Sequence, residues 1–373
     1  MMAMNDNSIP ALVFCEARTG AIPVAALTLL DRLVVALHRG GCGRIQIVCT
    51  AAAVPEMSRA KALGIPVEVL RAAPKVAGPV LVAECRLLVQ AADVRAVLQA
   101  RGRMTDGEGV LLPFGVLDEF SGGAGEVEAA LKSRPSVRAT GVAGLVTDEE
   151  SVRRMERRLW ASLGSSSDGV VDTYFNRPLG RFLSKVLIHT AVTPNQVTVA
   201  SGIIGLASAW FFAEGGHTAG IIGALLLQLA ALVDCVDGDI ARVMFKESPL
   251  GKWLDLALDN VVHVAVFATI AVGLSRAGCE APVGWLGLSA VVGAVISFPV
   301  VVRARRLSQG ELDGRLEKFI DAASTRDFTA LIVFLAVLGR LEWFLWLTGI
   351  TVHIFWITAL ALQWPKRVKN GSA

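Results

Sequence analysis

Four aspartates within residues 234–259 have the chemistry and the spacing of a metal-binding site. Asp234 and Asp237 are three residues apart, and Asp255 and Asp259 are four apart, so each pair shares one face of a helix. Carboxylates held close together repel one another unless a cation binds or some of them are protonated. Such oxygen ligands suit Mg²⁺ or Mn²⁺, and two ions would neutralise the site. This composition predicts displacement at phosphorus, because two metals stabilise both the attacking and the leaving oxygen.

Small residues and one arginine accompany the aspartates. Gly238 and Ala241 leave one helix face bare, and Gly251 opens the start of the next helix, so a bulky ligand can approach the backbone. Arg242 supplies a planar cation that suits phosphate. The alternative interpretation is that these charges only cap helix ends at a membrane interface. Acidic residues within membrane spans are costly and usually functional, which favours the site.

The aspartates lie between apolar runs that predict membrane spans. Of the 373 residues, 53% are hydrophobic and 18% charged, and the mean hydropathy is +0.55. Residues 1–190 hold most of the charge, and apolar runs dominate residues 191–365. A span needs about 20 residues. The sequence predicts six spans, at 195–213, 217–241, 252–275, 282–302, 326–340 and 342–364.

Basic residues predict the orientation in the membrane. Six Lys or Arg residues lie in the loop 303–326 and three in the C-terminal tail, whereas the opposite loops carry only Arg276 and Arg340. The positive-inside rule therefore places both termini on the cytoplasmic side of an inner membrane. The N-terminus lacks the features of a secretory signal, which agrees with that side.

Net charge and cysteine spacing exclude two other kinds of site. A net charge of +3 gives no global basic signal, so no nucleic-acid partner is expected. The six cysteines are scattered, without a CxxC pair or a zinc-site spacing. The sequence therefore predicts buried, reduced thiols.

Residues 1–150 predict a separate domain. The run at residues 22–41 is typical of a helix. Short apolar runs are typical of strands at 11–17, 44–50 and 79–85. This strand and helix order favours a largely parallel sheet. The predicted fold class is thus a soluble α/β N-terminal domain followed by an all-α transmembrane domain of six helices over residues 191–373.

Residues 151–190 connect the two domains. They begin with a basic helix and a Ser-rich linker. Within residues 169–190, apolar side chains lie near one helix face, while Arg177, Arg181 and Lys185 recur on another. This pattern predicts an amphipathic helix in the cytoplasmic membrane interface. The alternative is a helix docked on the N-terminal domain.

The central motif resembles a known family. Residues 234–259 follow the pattern Asp-x2-Asp-Gly-x2-Ala-Arg-x8-Gly-x3-Asp-x3-Asp. The pattern resembles that of the CDP-alcohol phosphotransferases, integral-membrane enzymes with six spans that work as homodimers. The segment VTPNQVT at 192–198 is similar to the family's entry to the first span. The resemblance covers about residues 168–365.

This resemblance implies a reaction and its residues. The acceptor hydroxyl attacks the β-phosphorus of a CDP-linked donor, CMP leaves, and a phosphodiester forms; at least one substrate is expected to be a lipid. Asp234, Asp237 and Asp255 are expected to hold Mg²⁺ or Mn²⁺, as two ions. Asp259 joins them or acts as the general base, so Asp255 and Asp259 are the expected catalytic residues. The expected nucleotide-binding residues are Asn195, Thr198, Gly238, Ala241, Arg242 and Gly251.

Arginines around the loop 303–326 are candidates for binding an acceptor phosphate or a lipid headgroup. Arg303, Arg306 and Arg326 carry guanidinium groups suited to phosphate. The alternative is a positive-inside signal that meets anionic lipid.

The N-terminal domain resembles a sugar-phosphate nucleotidyltransferase in outline. Its layout is similar to that of the bifunctional inositol-phosphate cytidylyltransferase/di-inositol-phosphate-phosphate synthases. However, the chain reads VFCEARTGAIPVAALTLLDR where a Gly-rich phosphate loop is expected, and no metal-holding Asp follows the strand at 79–85. Without a backbone cradle and a cation for the triphosphate, activation of CTP is not expected. We expect an inactive domain that binds a ligand, regulates or aids dimerisation.

Three functional hypotheses follow from the sequence. The first is a phosphotransferase, for which two versions differ in the donor. One uses CDP-diacylglycerol with a soluble polyol or polyol phosphate. The other uses a soluble CDP-alcohol such as CDP-inositol with a lipid or inositol phosphate acceptor. The second is a bifunctional enzyme that also makes its CDP-polyol donor from CTP. The third is a cation transporter or a non-catalytic membrane scaffold. Transport sites tend to lie near the bilayer midplane, whereas the predicted aspartates lie at the cytoplasmic ends of spans.

Overall fold

The computed structural model describes residues 8–164, 168–307, 316, 319–320, 325 and 327–363, with the backbone alone for 305–307. The chain divides into two compact units. The N-terminal unit comprises Met1–Leu163 with Val243–Phe245. The C-terminal unit comprises Gly164–Arg242 with Lys246–Ala373.

A seven-stranded sheet forms the centre of the N-terminal unit. The strands of the unit are β1 (Ala11–Phe14), β2 (Pro23–Val24), β3 (Leu27–Thr28), β4 (Ile45–Val48), β5 (Val67–Leu70), β6 (Val76–Glu84), β7 (Leu87–Leu88), β8 (Arg103–Thr105), β9 (Leu111–Phe120), β10 (Ser136–Arg138) and β11 (Gly144–Leu145). The sheet order is β10-β8-β9-β6-β1-β4-β5. β1 is parallel to β4 and β6, β5 to β4, and β10 to β8, whereas β9 is antiparallel to β6 and β8. Four of the six neighbouring pairs are therefore parallel, and six of the seven described strands run in one direction, so the sheet is mixed but largely parallel, as predicted.

Helices accompany this sheet, which confirms the predicted α/β class. They are α1 (Ala17–Gly20), α2 (Leu29–Gly40), α3 (Ser58–Ala62), α4 (Ala91–Ala100), α5 (Val127–Leu131) and α6 (Glu149–Ala161). Helix α2 begins after Thr28, whose hydroxyl accepts the Asp31 N–H at 3.2 Å, and ends at Gly41 with φ 102°. Leu33 and Leu37 on this helix are fully buried, so α2 belongs to the core of the unit.

The helix predicted over residues 22–41 begins only at Leu29, because the β2–β3 hairpin precedes it. The hairpin turns at Ala25, which has φ 45°. Arg32 stabilises the turn by donating to the carbonyl oxygens of Val24 at 2.7 Å and Ala25 at 2.8 Å. A buried guanidinium thus satisfies the carbonyls that helical hydrogen bonds would otherwise have used.

The described part of the C-terminal unit is helical. A π-helical turn, Asp172–Asn176, leads into the first regular helix. The helices are α7 (Arg177–Leu187), α8 (Pro194–Glu214), α9 (His217–Val243), α10 (Pro249–Arg276), α11 (Val283–Leu307), α12 (Asp327–Val337) and α13 (Leu341–Leu362). Helix α8 begins with a capping box, in which Thr193 and Gln196 exchange hydrogen bonds of 2.9 and 3.4 Å.

Five helices in the described ranges are long and apolar enough to cross a membrane. They are Pro194–Glu214, His217–Val243, Pro249–Arg276, Val283–Ala304 and Leu341–Leu362, and they correspond to five of the predicted spans. Helix α12 has 11 residues and therefore rises about 16 Å, against a hydrocarbon core of about 30 Å. The α/β domain followed by apolar helices is confirmed, and the count of six spans stays a prediction.

The amphipathic segment before α8 exposes apolar side chains, including Phe182 at 74% and Val186 at 53%. Of its three predicted basic positions, Arg177 is buried, with only 4% of the residue exposed. Gly180 faces helix α9, where an added Cβ would lie 3.6 Å from the Cys235 side chain. The face that carries Arg177 and Gly180 therefore packs inside the C-terminal unit.

Close packing of α8 on α10 depends on glycine. An added Cβ at Gly205 would lie 2.7 Å from the Val262 side chain, and one at Gly202 would lie 3.3 Å from Leu258. Small residues at such contacts let two membrane helices approach closely.

We expect Gly205→Leu to lower the thermal unfolding midpoint of the detergent-solubilised chain, because overpacking costs about 1–3 kcal/mol. Gly284→Leu is the matched control, since an added Cβ at Gly284 meets no atom within 4 Å. Equal unfolding midpoints for the two variants would show that this helix contact does not limit stability.

Candidate active site

Helices α9 and α10 bring three of the four motif aspartates together. Carboxylate oxygens of Asp234, Asp237 and Asp255 all lie within 4.8 Å of one another. Asp234 and Asp237 are buried, and Asp259, one turn further along α10, lines the same cavity. Clustered carboxylates in a buried site form a set of hard oxygen donors that fits Mg²⁺ or Mn²⁺.

The cavity around the aspartates has a volume of about 590 Å³. Charged side chains line it, and so do the aromatic rings of Phe267, Phe298, Phe328, Phe344 and Phe355. The ring of His263, also in the lining, lies 5.2 Å from the Phe328 ring and 6.1 Å from the Phe267 ring. A lining of this kind suits a ligand with both an ionic and an apolar part.

A second cavity, of about 160 Å³, shares Asp237 and Asp255 with the first. Its lining includes all six predicted nucleotide-binding residues, Asn195, Thr198, Gly238, Ala241, Arg242 and Gly251. The Thr198 hydroxyl donates to the Asp237 carboxylate. An added Cβ at Gly251 would lie 2.9 Å from the Asn195 amide oxygen. The first turn of α8 and the α9–α10 connection thus form one pocket, and the glycine keeps it open.

A buried ion network lies beside the motif, and the sequence did not predict it. Asp239 is fully buried and accepts hydrogen bonds from Arg177 at 2.7 Å and from Arg242 at 3.2 Å. Arg177 also donates to both carboxylate oxygens of Asp168, at 2.9 and 2.8 Å. The second oxygen of Asp239 has no hydrogen-bond partner among the described residues. Asp239 therefore orients Arg242, the predicted phosphate-binding cation.

Further hydrogen bonds connect the segment before α7 with α9 and α12. The Asp327 carboxylate accepts the backbone N–H groups of residues 170–171, both at 2.9 Å. The Gln228 amide donates to the Asn176 side-chain oxygen at 2.8 Å and accepts from the Thr329 hydroxyl at 2.8 Å. These contacts fix the segment that carries Arg177 relative to the helix that carries Asp239.

Of the three predicted phosphate-binding arginines, the described residues include the side chain of Arg303 alone. Arg303 is exposed and lies outside the linings of both cavities. The Arg306 side chain and all of Arg326 lie outside the described residues. Their role stays a prediction.

We expect Asp239→Asn to destabilise the chain by about 3–5 kcal/mol, because Arg177 and Arg242 lose the carboxylate that they share and Asp168 alone remains to balance the buried positive charge. The double variant Arg177→Met/Asp239→Asn is expected to lose less than the two single variants together. Thermal unfolding in detergent measures both effects. Arg340→Gln is the control, since its 3.5 Å pair with Glu342 is solvent-exposed on the Arg340 side. Additive losses would contradict a coupled network.

Comparisons with known proteins relate this site to a family. Residues 191–364 match the family model described as CDP-alcohol phosphatidyltransferase. A bifunctional IPC transferase and DIPP synthase of Aquifex aeolicus is 25% identical over 244 residues, 61% of this chain and 54% of the relative. A protein of the same description from Thermococcus kodakarensis is 34% identical over 143 residues, 37% of this chain and 32% of the relative. The chain thus spans about half of the first relative's length and a third of the second's.

A similar solved structure is the Mycobacterium tuberculosis phosphatidylinositol phosphate synthase in complex with manganese and citrate. It has 19% identity and a TM-score of 0.38, over 53% of this chain and 93% of that chain. The family match covers the complete aspartate motif and the predicted nucleotide-binding residues. Residues 191–364 are therefore a CDP-alcohol phosphatidyltransferase domain.

Proposed function

We propose that the chain is an integral-membrane CDP-alcohol phosphotransferase. The observation that carries this proposal is the cluster of Asp234, Asp237 and Asp255 at the junction of two cavities. Asp259 and five phenylalanine rings line the larger cavity, and the six predicted nucleotide-binding residues line the smaller one. A donor and an acceptor can therefore meet at the carboxylates.

The reaction proposed for this site makes one phosphodiester bond and breaks one phosphoanhydride bond. Asp259 takes the proton of the acceptor hydroxyl, whose oxygen then bonds to the β-phosphorus of the CDP-linked donor. The bond from that phosphorus to the oxygen of CMP breaks, and CMP leaves. Arg242, held by Asp239, stabilises negative charge on the diphosphate. Proton transfer by a placed carboxylate contributes about 10²–10⁴ to the rate.

A divalent-cation requirement belongs to the same proposal. Asp234, Asp237, Asp255 and Asp259 are the residues that would hold Mg²⁺ or Mn²⁺, with two ions as the proposed number. Bound cations supply charge neutralisation at the diphosphate and the leaving oxygen. The set of three close carboxylates, two of them buried, supports this, because such groups repel one another without a cation.

The membrane arrangement we propose has six spans, with residues 326–340, which include α12, as the fifth. Both termini are proposed to face the cytoplasm, because the basic residues of loop 303–326 and the C-terminal tail lie on that side of a six-span chain. A homodimer is proposed from the family resemblance.

The proposed substrates are a CDP-linked donor and an alcohol acceptor, at least one of which is a lipid. The five phenylalanine rings that line the larger cavity favour a substrate with an apolar portion. Relatives described as bifunctional IPC transferase and DIPP synthases favour an inositol-phosphate type of product as the second candidate. That version includes synthesis of the CDP-polyol donor from CTP by the N-terminal unit.

Release of CMP by the purified full chain in detergent tests the proposal. CDP-diacylglycerol, CDP-inositol, CDP-choline and CDP-ethanolamine serve as donors against mixed polyol and lipid acceptors, with Mg²⁺ or Mn²⁺. We expect release from one donor, loss of release with EDTA, and recovery when the metal is returned. Asp259→Asn is expected to lower the rate by about 10²–10⁴, because the proton acceptor is removed.

Asp118→Asn is the matched control, since this aspartate lies in the N-terminal unit and pairs with Arg134 at the surface. Wild-type rates in Asp259→Asn would disprove the assignment of the general base. Metal-independent release would disprove the role of the carboxylate cluster. Absence of both release and nucleotide binding would favour the transporter or scaffold hypothesis.

We expect Gly251→Val to weaken binding of CMP and of the CDP-linked donor by about tenfold, or 1.4 kcal/mol. The added side chain would occupy the space beside the Asn195 amide oxygen. Gly284→Val, at an open position, is expected to bind like the wild type. Calorimetric titration with CMP measures both, and equal affinities would place the nucleotide elsewhere.

A further inference from the structure

Three cysteines that are far apart in sequence meet at one edge of the sheet in the N-terminal unit. The strands β4, β1 and β6 are parallel neighbours, and a cysteine directly follows the last residue of each. These cysteines are Cys49 after β4, Cys15 after β1 and Cys85 after β6. The Cys15 N–H donates to Val48 at 2.9 Å, and the Cys85 N–H donates to Phe14 at 2.8 Å. The three residues therefore occupy equivalent positions across the sheet.

Strand spacing alone makes adjacent members of this row suitable for a covalent link. Parallel neighbours lie about 4.8 Å apart, and disulfides join residues whose Cα atoms are about 4.4–6.8 Å apart. The sulfur atoms of Cys15 and Cys85 each lie 3.7 Å from the same Glu16 carbonyl oxygen. An added Cβ at Gly20 would lie 2.7 Å from the Cys15 sulfur and 3.4 Å from the Cys85 sulfur. Cys15 and Cys85 are thus a close thiol pair.

Two cysteines of the row line a cavity. A cavity of about 800 Å³ is lined by Cys15 and Cys85, whereas Cys49 is not in its lining. Open α/β sheets bind their ligands outside the carboxyl ends of parallel strands, and this cavity lies at such an edge. It is large enough for a small organic molecule.

The cations in the cavity lining are held by the protein itself. Arg71 donates to three carbonyl oxygens of residues 49–52, and Arg86 pairs with Glu84 at 2.6 Å. The lining also contains Glu16 and three threonines, and the thiols are its strongest potential nucleophiles.

The two thiols differ in acidity. The Cys15 thiol lowers the pKa of Cys85 to about 7 by hydrogen bonding, and the Thr19 hydroxyl, 3.5 Å from the sulfur, acts in the same direction. The Cys85 interaction and burial raise the pKa of Cys15. As the pH rises through about 7, Cys85 becomes a thiolate, the nucleophilic form, while Cys15 stays protonated.

We propose that Cys85 and Cys15 form a dithiol site that reacts with a small disulfide in this cavity. The Cys85 thiolate attacks one sulfur of the disulfide, whose S–S bond breaks and releases one small thiolate. Cys15 then loses its proton to water and attacks the Cys85 sulfur of the mixed disulfide, which releases the second small thiolate. The protein loses two electrons, and the small disulfide is reduced to two thiols.

Reaction of the reduced full chain in detergent with 4,4′-dithiodipyridine tests this proposal. We expect a fast phase that releases about two thiones per chain and leaves a Cys15–Cys85 disulfide, identified by mass spectrometry of nonreduced peptides. The rate of the fast phase should rise with pH through about 7. Cys15→Ser is expected to release one thione in that phase and to keep the adduct on Cys85. Cys85→Ser is expected to slow the first release by about tenfold at pH 6.

Cys42→Ser is the matched control, because Cys42 is buried in the same unit and burial raises its pKa to about 12. Thermal unfolding of each variant, with Cys85→Ala as a second substitution, separates lost reactivity from lost folding. Peptide mapping of the oxidised wild-type chain identifies which cysteines are linked without the use of any variant. A fast adduct confined to Cys279, or a Cys15–Cys49 link in place of Cys15–Cys85, would overturn the proposal.

Discussion

Repulsion among the motif carboxylates is the constraint on which the C-terminal unit depends. Asp234, Asp237 and Asp255 hold their oxygens within 4.8 Å, and two of the three are buried, where like charges interact strongly. Only a rigid frame keeps such groups together. Glycine contacts between α8 and α10 and the hydrogen bond from Thr198 to Asp237 are parts of that frame.

Two arginines beside the motif contact carboxylates other than its four aspartates. Arg177 and Arg242 are two cations, and Asp168 and Asp239 are the two anions that they contact. These contacts hold Arg242 in one orientation. The three close carboxylates of the motif are the physical reason for linking this site to divalent cations.

The sequence was informative where function depends on local spacing. The i,i+3 and i,i+4 pairs of aspartates, the small residues around them and five of the apolar spans all follow from patterns within one or two helices. The mixed character of the sheet and the hairpin before α2 did not follow, because strand pairing and the role of Arg32 are set by tertiary contacts.

Two other features, the ion network and the row of cysteines, depend on long-range contacts and could not be predicted from the sequence. Asp239 is two residues from Asp237, so the two side chains do not share a helix face. Its partner Arg177 lies 62 positions earlier, and in the sequence Arg177 resembles one of three regularly spaced basic residues of an amphipathic helix. The cysteines looked scattered because each follows a different strand. Their row exists only once β4, β1 and β6 are aligned, and no local pattern reports that alignment.

The bonds from Asp327 to residues 170–171 have a consequence for biosynthesis. They join positions separated by 156 and 157 residues, and Thr329 reaches back to Gln228 across 101. Four apolar helices emerge from the ribosome before these partners exist. The hydrogen bonds that hold the segment around Arg177 are therefore completed late in translation. A nascent chain released before α12 lacks Asp327 and Thr329, which make these bonds.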